Sequence, residues 1–198
     1  MSKSSADTEQ VPHDNRIRRL LWFAVRVLLS IPVCLALWWL VLPAYAWAIG
    51  HAAALLLRFP FGFDIDGVTV EASGILNTGT LLGFQLGERN PSLPIAQLVS
   101  NIATYAALVI ATSGIAWKRR ALIAAIGFAV LAAGHVVYLV LAFAFADTMA
   151  RNPVVPTAIA QAFITLPFVL WIALAYWAQA DWLRPRSDTA TTAKEHPP

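Results

Sequence analysis

The residues of this chain that could support chemistry are uncharged polar side chains and one histidine inside long apolar segments. Gln97, Asn101 and Thr104 recur at helical spacing on one face of such a segment, and Ser100 lies beside them. Polar groups in hydrocarbon are costly and usually face a bundle interior or a cavity, so the pattern predicts a buried polar cluster. Hydrogen bonding between helices is the simpler role for such side chains, and it stays open here. The candidate residues for binding a substrate or partner are Gln97, Ser100, Asn101, Thr104, His135, Tyr138, Gln161 and Thr165.

His135 is the candidate with the widest range of chemistry, because an imidazole can relay protons or act as a base near neutral pH. One structural hydrogen bond to a neighbouring helix is the alternative interpretation. A third interpretation is that Ser100 is a nucleophile and His135 is its base. On idealised helices Ser100 lies about 8 Å and His135 about 16 Å below the outer membrane surface. That offset exceeds the roughly 3 Å that a nucleophile and its base require. We therefore expect no catalytic residue.

Motifs of soluble active sites do not occur in the sequence. There is no phosphate-binding loop, no His-Glu-x-x-His and no Gly-x-Ser-x-Gly. The one cysteine, Cys34, allows neither an intramolecular disulfide nor a cysteine-based metal motif. The sequence therefore predicts no cofactor and no metal site.

Composition points to lipid as the solvent of this chain. Of 198 residues, 59% are hydrophobic and 13% are charged, whereas a soluble domain carries about a quarter charged residues. The net charge is +3, but the basic residues lie at the ends of apolar runs, which is typical of orientation in a membrane. We expect a lipid bilayer as partner and no nucleic acid.

Four apolar segments are long enough to cross a bilayer. With the amino terminus inside, ten Lys and Arg residues lie on the inner side and three lie on the outer side, namely Arg58, Arg89 and Arg151. This positive-inside bias predicts an all-α polytopic membrane protein of about four transmembrane helices with both termini cytoplasmic. The predicted spans are residues 20–42, 96–117, 121–146 and 157–178.

The remaining segments complete one transmembrane domain over residues 16–180. Residues 43–59 read as an interfacial helix after a break at Pro43, with a further span as the open alternative. Residues 60–95 alternate apolar and polar residues around Asp66-Gly67, a strong hairpin signal, and predict a short extracytoplasmic β-hairpin-like element. Residues 1–15 are predicted to be a disordered cytoplasmic tail and residues 181–198 a second cytoplasmic tail.

The order of these features resembles a known family. An apolar helix comes first, followed by a glycine-rich stretch (RFPFGFDIDGVTVEASG) and a span entered through polar residues (QLVSNIATYAALVIATSG). A basic turn (WKRR) and a long span (ALIAAIGFAVLAAGHVVYLVLAF) come next. Over roughly residues 45–175 this is similar to the exosortase/archaeosortase family, polytopic transpeptidases that process carboxy-terminal sorting signals. The family's cysteine motif would fall at residues 98–102 and its arginine at residues 134–138, where neither residue occurs, and Arg151 is a distant candidate for the third position.

The chain therefore resembles the exosortase-H-associated membrane proteins, which share the sortase-like architecture without its nucleophile. The resemblance implies a non-catalytic accessory subunit in the bacterial inner membrane. Such a subunit would bind or present carboxy-terminal sorting-signal helices and would have an active exosortase as a partner. A small transporter or proton-coupled subunit using His135 is the alternative function.

Overall fold

The computed structural model describes residues 12–152 and 154–180, and these are predominantly helical. The predicted tail 181–198 and most of the predicted tail 1–15 lie outside the described residues. The helices are α1 (Pro12–Arg58), α2 (Ala96–Val99), α3 (Asn101–Ala111), α4 (Trp117–Ala144), α5 (Ala146–Arg151) and α6 (Val154–Ala180). The strands are β1 (Gly67–Glu71), β2 (Leu81–Gln85) and β3 (Ser92–Pro94), with a 3₁₀ turn at Ile75–Asn77.

Three of the described helices are long and apolar enough to cross a membrane: Leu21–Arg58 of α1, Trp117–Ala144, and Val154–Ala175 of α6. The apolar helix Ala96–Ala111 is shorter. It ends before the predicted residue 117 because Thr112 is extended and Gly114 has a positive φ of 83°. The basic residues Lys118, Arg119 and Arg120 therefore lie in the first turn of α4 and not in a loop.

Helix α1 passes through Pro43 without the predicted break. A proline inside a helix removes the hydrogen bond to the carbonyl four residues earlier, here that of Trp39. The side-chain Nδ2 of Asn77 donates to this Trp39 carbonyl at 3.2 Å. A neighbouring side chain thus satisfies the backbone group that the proline leaves free, which is how membrane helices tolerate proline.

The strands form one antiparallel sheet in the order β1-β2-β3. The chain does not reverse at Asp66-Gly67 as predicted, since Gly67 begins β1 and pairs with Gln85 at the far end of β2. The reversal lies in residues 72–80. Leu82 and Phe84 of β2 are fully buried in a cluster with the second half of α1. Gly50 permits this contact, because a Cβ there would lie 2.7 Å from Leu82 Cδ1.

Helix α3 lies at the centre of the bundle, in contact with α1, α4 and α6. Tyr105 of α3 is fully buried, and its hydroxyl donates to the Ile123 carbonyl of α4 at 2.8 Å. Gly127 leaves room for the ring, since a Cβ there would lie 2.1 Å from Tyr105 Cζ. Helix α1 packs along α4, and α4 packs along α6. Over their described residues, helices α1 and α6 do not pack along each other, so α3 has an open side between them.

Candidate functional site

A groove runs along the open side of α3, between α1 and α6. It consists of two cavities of about 520 and about 370 Å³ that share the residues Gln97, Ser100 and Thr104. We call it the polar groove, with these three residues as its floor. Its walls are apolar, with Ile31, Leu35 and Trp39 from α1 on one side and Ile164, Pro167 and Phe168 from α6 on the other.

Aromatic packing closes the groove at one end. Phe23 of α1 stacks on Trp171 of α6 with ring centroids 5.4 Å apart. The indole Nε1 of Trp171 donates to the Thr112 hydroxyl at the end of α3, at 2.8 Å. At the other end, Thr78 and Pro94 from the sheet region line the cavities. The groove therefore closes toward the beginning of α1 and extends to the sheet.

The floor has unused hydrogen-bonding capacity. The Ser100 hydroxyl donates to the Gln97 carbonyl within its own turn, at 2.7 Å. The Gln97 amide and the Thr104 hydroxyl form no hydrogen bond with any residue that the structure describes. Gln97 is exposed and Thr104 is half-buried. In a hydrocarbon environment such groups gain by meeting a polar partner, so the floor favours a ligand that presents hydrogen-bonding atoms.

Asn101 joins the floor of the groove to its α6 wall. Its Nδ2 donates to the Phe163 carbonyl at 3.3 Å. Phe163 lies four residues before Pro167, so this carbonyl is the one that Pro167 deprives of its helical partner. Asn101 is 7% exposed, and its Oδ1 is buried without a hydrogen-bond partner among the described residues. The side chain therefore supports the bent wall and retains one acceptor.

His135 lies behind the groove and does not line it. The imidazole is fully buried, and its Nδ1 lies 2.7 Å from the Tyr45 hydroxyl of α1. Phe163 stacks on the imidazole with centroids 5.2 Å apart, while Tyr138 contacts the edge of the same Phe163 ring. The Nε2 atom forms no hydrogen bond of ordinary geometry with a described residue, although the Leu98 backbone lies close enough to interact with the imidazole. His135 thus lies in the contact between α1 and α4, and the Phe163 ring separates it from the cavity.

Five of the predicted site residues meet in the polar groove: Gln97, Ser100, Asn101, Thr104 and Tyr138. Gln161 and Thr165 are exposed and do not line it. The Thr165 hydroxyl bonds to carbonyls of its own helix, those of Gln161 and Ala162 at 3.2 and 3.0 Å. Within the described residues, Ser100 and His135 form no hydrogen bond with each other.

Sequence reasoning missed the apolar walls and the role of Asn77. The wall residues look like any other lipid-facing side chains, so their sequence carries no signal for a groove. Asn77 lies between two glycines in a short loop, a setting that favours a left-handed conformation, and its φ is indeed 63°. Nothing in that local pattern connects it to Trp39.

A second cleft lies between α1 and α4 on another side of α3. Its volume is about 590 Å³ and its lining is almost entirely apolar, including Cys34, Ile110 and Phe128. No group of three or more potential metal ligands occurs among the described residues. The polar groove combines apolar walls with polar groups that have free hydrogen-bonding capacity, which is the usual composition of a binding site.

Comparisons with protein-family models, with curated protein sequences and with solved structures find no match to this chain.

Proposed function

We propose that this chain is a non-catalytic accessory subunit of an exosortase-type protein-sorting system in the bacterial inner membrane. In this proposal the polar groove binds the carboxy-terminal sorting-signal helix of an exported protein and presents it to an active exosortase. The observation that carries the proposal is a lateral groove with apolar walls and a floor of uncharged groups with free hydrogen-bonding capacity.

A helix is the ligand that suits this shape and polarity. The floor residues Gln97, Ser100 and Thr104 follow one face of α2 and α3 over about 10 Å of helix. A bound helix could therefore meet them with side chains spaced one turn apart. Helices in lipid associate through close packing and interhelical hydrogen bonds, because an apolar side chain gains no hydrophobic free energy by leaving lipid for another helix. A groove with a polar floor discriminates among apolar helices in a way that a smooth apolar surface cannot.

The proposal includes four spans with both termini cytoplasmic. Residues 96–111 correspond to about 24 Å of helix, and Phe23 and Trp39 are also about 24 Å apart along α1. One end of α3 meets Trp171 beside Phe23, and the other end lies beside Trp39. This matched length supports α3 as a fourth, shorter span. The excess of Lys and Arg on the amino-terminal side supports the orientation.

The resemblance to exosortase-associated proteins supplies the partner in this proposal. The position of the family's cysteine falls within residues 98–102, and Ser100 and Asn101 of that segment line the groove. A pocket that keeps its place while losing its nucleophile can still hold the helix that an active enzyme cleaves. The active enzyme would then supply the thiolate chemistry.

Site-specific photocrosslinking tests the groove directly. A photoreactive side chain replaces Thr104 in the groove or Val137, which is 54% exposed on α4 and lines neither groove cavity. Both variants are co-expressed with an exported protein that carries a carboxy-terminal sorting helix. We expect a crosslink from position 104 and none from position 137. Equal crosslinking from both positions, or none from either at normal expression, would contradict the proposal.

Affinity purification from native membranes tests the partner. The tagged chain, extracted in mild detergent, is expected to recover an exosortase with an intact cysteine. Deletion of the gene is expected to reduce sorting. If the chain purifies without such an enzyme and sorting stays intact in the deletion strain, the accessory role is wrong.

A proton-coupled transport function is the second candidate, and the His135–Tyr45 pair favours it. The imidazole Nδ1 lies 2.7 Å from the Tyr45 hydroxyl, a distance at which a proton can pass between the two side chains. This function predicts pH-dependent flux in proteoliposomes that His135→Ala abolishes. Flux that is the same with and without the imidazole would remove this candidate.

A further inference from the structure

The loop between β1 and β2, residues 72–80, combines exposure with apolar character. Ile75 is 85% exposed and Leu76 is 41% exposed at its tip. Leu76 has a φ of 54°, a left-handed conformation that is uncommon for a bulky residue and costs energy unless its surroundings enforce it. The loop sequence, ASGILNTGT, contains no charged residue. Two large apolar side chains are thus held outward on a loop without charge.

The loop satisfies many of its polar groups internally. The backbone N–H of Gly79 donates to the Ser73 carbonyl at 2.8 Å, and the Ser73 hydroxyl donates to the Gly79 carbonyl at 2.7 Å. The Asn77 carbonyl accepts from both the N–H and the hydroxyl of Thr80. Backbone in contact with lipid must find its hydrogen bonds within the protein, whereas a loop in water has no such requirement. This bonding lowers the number of unpaired polar groups that the loop would carry into the headgroup region.

The contacts of the loop with α1 give its level along that helix. Asn77 bonds to the Trp39 carbonyl, and Thr78 lines a cavity with Ile31 and Leu35 of α1. Trp39 lies about 27 Å along the helix from Leu21, where the apolar part of α1 begins, and a hydrocarbon core is about 30 Å thick. With a hydrocarbon core that begins at Leu21, the loop would lie beside α1 at the level where hydrocarbon meets the headgroups on the other side.

From these three observations we infer that the tip of the 72–80 loop inserts into the lipid leaflet on the sheet side of the membrane. Ile75 and Leu76 are the inserted side chains, and the bond from Asn77 to Trp39 fixes their depth. The sheet is thus held to the membrane at two places, by its packing on α1 and by this loop. The inference does not depend on the exported helix or on an exosortase.

Fluorescence quenching in liposomes tests the insertion. In a Cys34→Ala background, a single cysteine at Ile75 carries the environment-sensitive fluorophore NBD. The matched control is Glu88→Cys in the turn at the opposite end of β2, which is also exposed. The full chain is reconstituted in phosphatidylethanolamine and phosphatidylglycerol. Nitroxide-labelled lipid or aqueous iodide, present on both faces, is then the quencher.

We expect the label at position 75 to be blue-shifted and quenched several times more by nitroxide lipid than the label at position 88. Iodide should show the reverse order. Because Ile75 is 85% exposed, the cysteine removes little packing and the protein should fold normally. If iodide quenches both labels equally and nitroxide lipid quenches neither, the loop lies in water and the inference is wrong. The photocrosslinking result at Thr104 is unaffected by either outcome.

Discussion

Two prolines in the long helices have the same structural solution, and comparing them separates architecture from function. Pro43 in α1 frees the Trp39 carbonyl, which accepts a hydrogen bond from Asn77 at 3.2 Å. Pro167 in α6 frees the Phe163 carbonyl, which accepts one from Asn101 at 3.3 Å. In each case an asparagine amide from a distant part of the chain replaces the missing backbone donor. At Pro43 and Pro167 a side chain therefore pairs the carbonyl that the proline leaves free.

The difference between the two asparagines lies in their second polar atom. Asn77 is half-buried on the sheet loop, and its Oδ1 is not among the buried atoms that lack a hydrogen-bond partner. Asn101 is almost fully buried at the groove, and its Oδ1 has no partner among the described residues. Natural structures rarely leave a buried acceptor unpaired, and such exceptions often mark functional sites. Both asparagines thus serve a carbonyl freed by proline, and Asn101 in addition leaves a buried acceptor beside the polar groove.

The largest effect is expected from Asn101→Ala. This change leaves the Phe163 carbonyl without its side-chain donor, which costs about 1–3 kcal/mol of the free energy of unfolding. Denaturation by SDS in mixed micelles measures this loss. Gln161→Ala, an exposed polar residue on α6, is the matched control and should stay within about 0.5 kcal/mol of the parent. Equal losses in both variants would mean that the Asn101 bond contributes nothing specific.

The next effect is a rescue that identifies the proline as the cause. Pro167→Ala restores a backbone N–H that can bond to the Phe163 carbonyl, so Asn101→Ala should cost about 1 kcal/mol less in that background. A double-mutant cycle on the same unfolding measurement gives this coupling. Strictly additive changes would show that Asn101 does not serve the carbonyl freed by Pro167.

A smaller loss of stability is expected at the pair of Pro43 and Asn77. Asn77→Gly keeps the left-handed backbone accessible while removing the amide, and should cost about 0.5–1.5 kcal/mol, since Asn77 is only half-buried. Pro43→Ala should reduce that cost, as in the first cycle. Crosslinking of the exported protein at position 104 should persist, because Asn77 is not part of the groove floor. Loss of crosslinking without loss of stability would assign Asn77 a binding role and erase the contrast between the two pairs.

The smallest effect concerns the groove floor itself. Thr104→Val removes an unpaired hydroxyl at nearly constant shape, so stability should change by less than about 0.5 kcal/mol. Binding of the sorting helix should weaken by about 0.6 kcal/mol, or close to threefold, if the hydroxyl bonds to it. The change in affinity is measured from the crosslinking yield at increasing levels of the exported protein, with the photoreactive side chain at a position next to residue 104. Unchanged binding would confine the hydrogen-bonding role to Gln97 and Asn101.

Sequence alone determined the features that depend on local pattern. Apolar runs with basic residues at their ends gave the membrane class and the approximate helices, since hydrophobic length is readable without knowing any contact. The shared face of Gln97, Ser100 and Thr104 was equally readable, because helical periodicity fixes it. These three residues do line one groove.

Tertiary structure decided everything that depends on a partner far along the chain. Asn77 and Trp39 are 38 residues apart, and Asn101 and Phe163 are 62 apart, so no local pattern could show that Pro43 would leave α1 unbroken or that Asn101 would support α6. Asp66-Gly67 has the local sequence of a turn, but Gly67 begins a strand because it pairs with Gln85, and that pairing is not visible in the local sequence. The rotation of α6 on α3 likewise directs Phe163 and Pro167 into the groove and leaves Thr165 outside it. Packing fixes such rotations, because a helix presents each face equally well until a neighbour selects one.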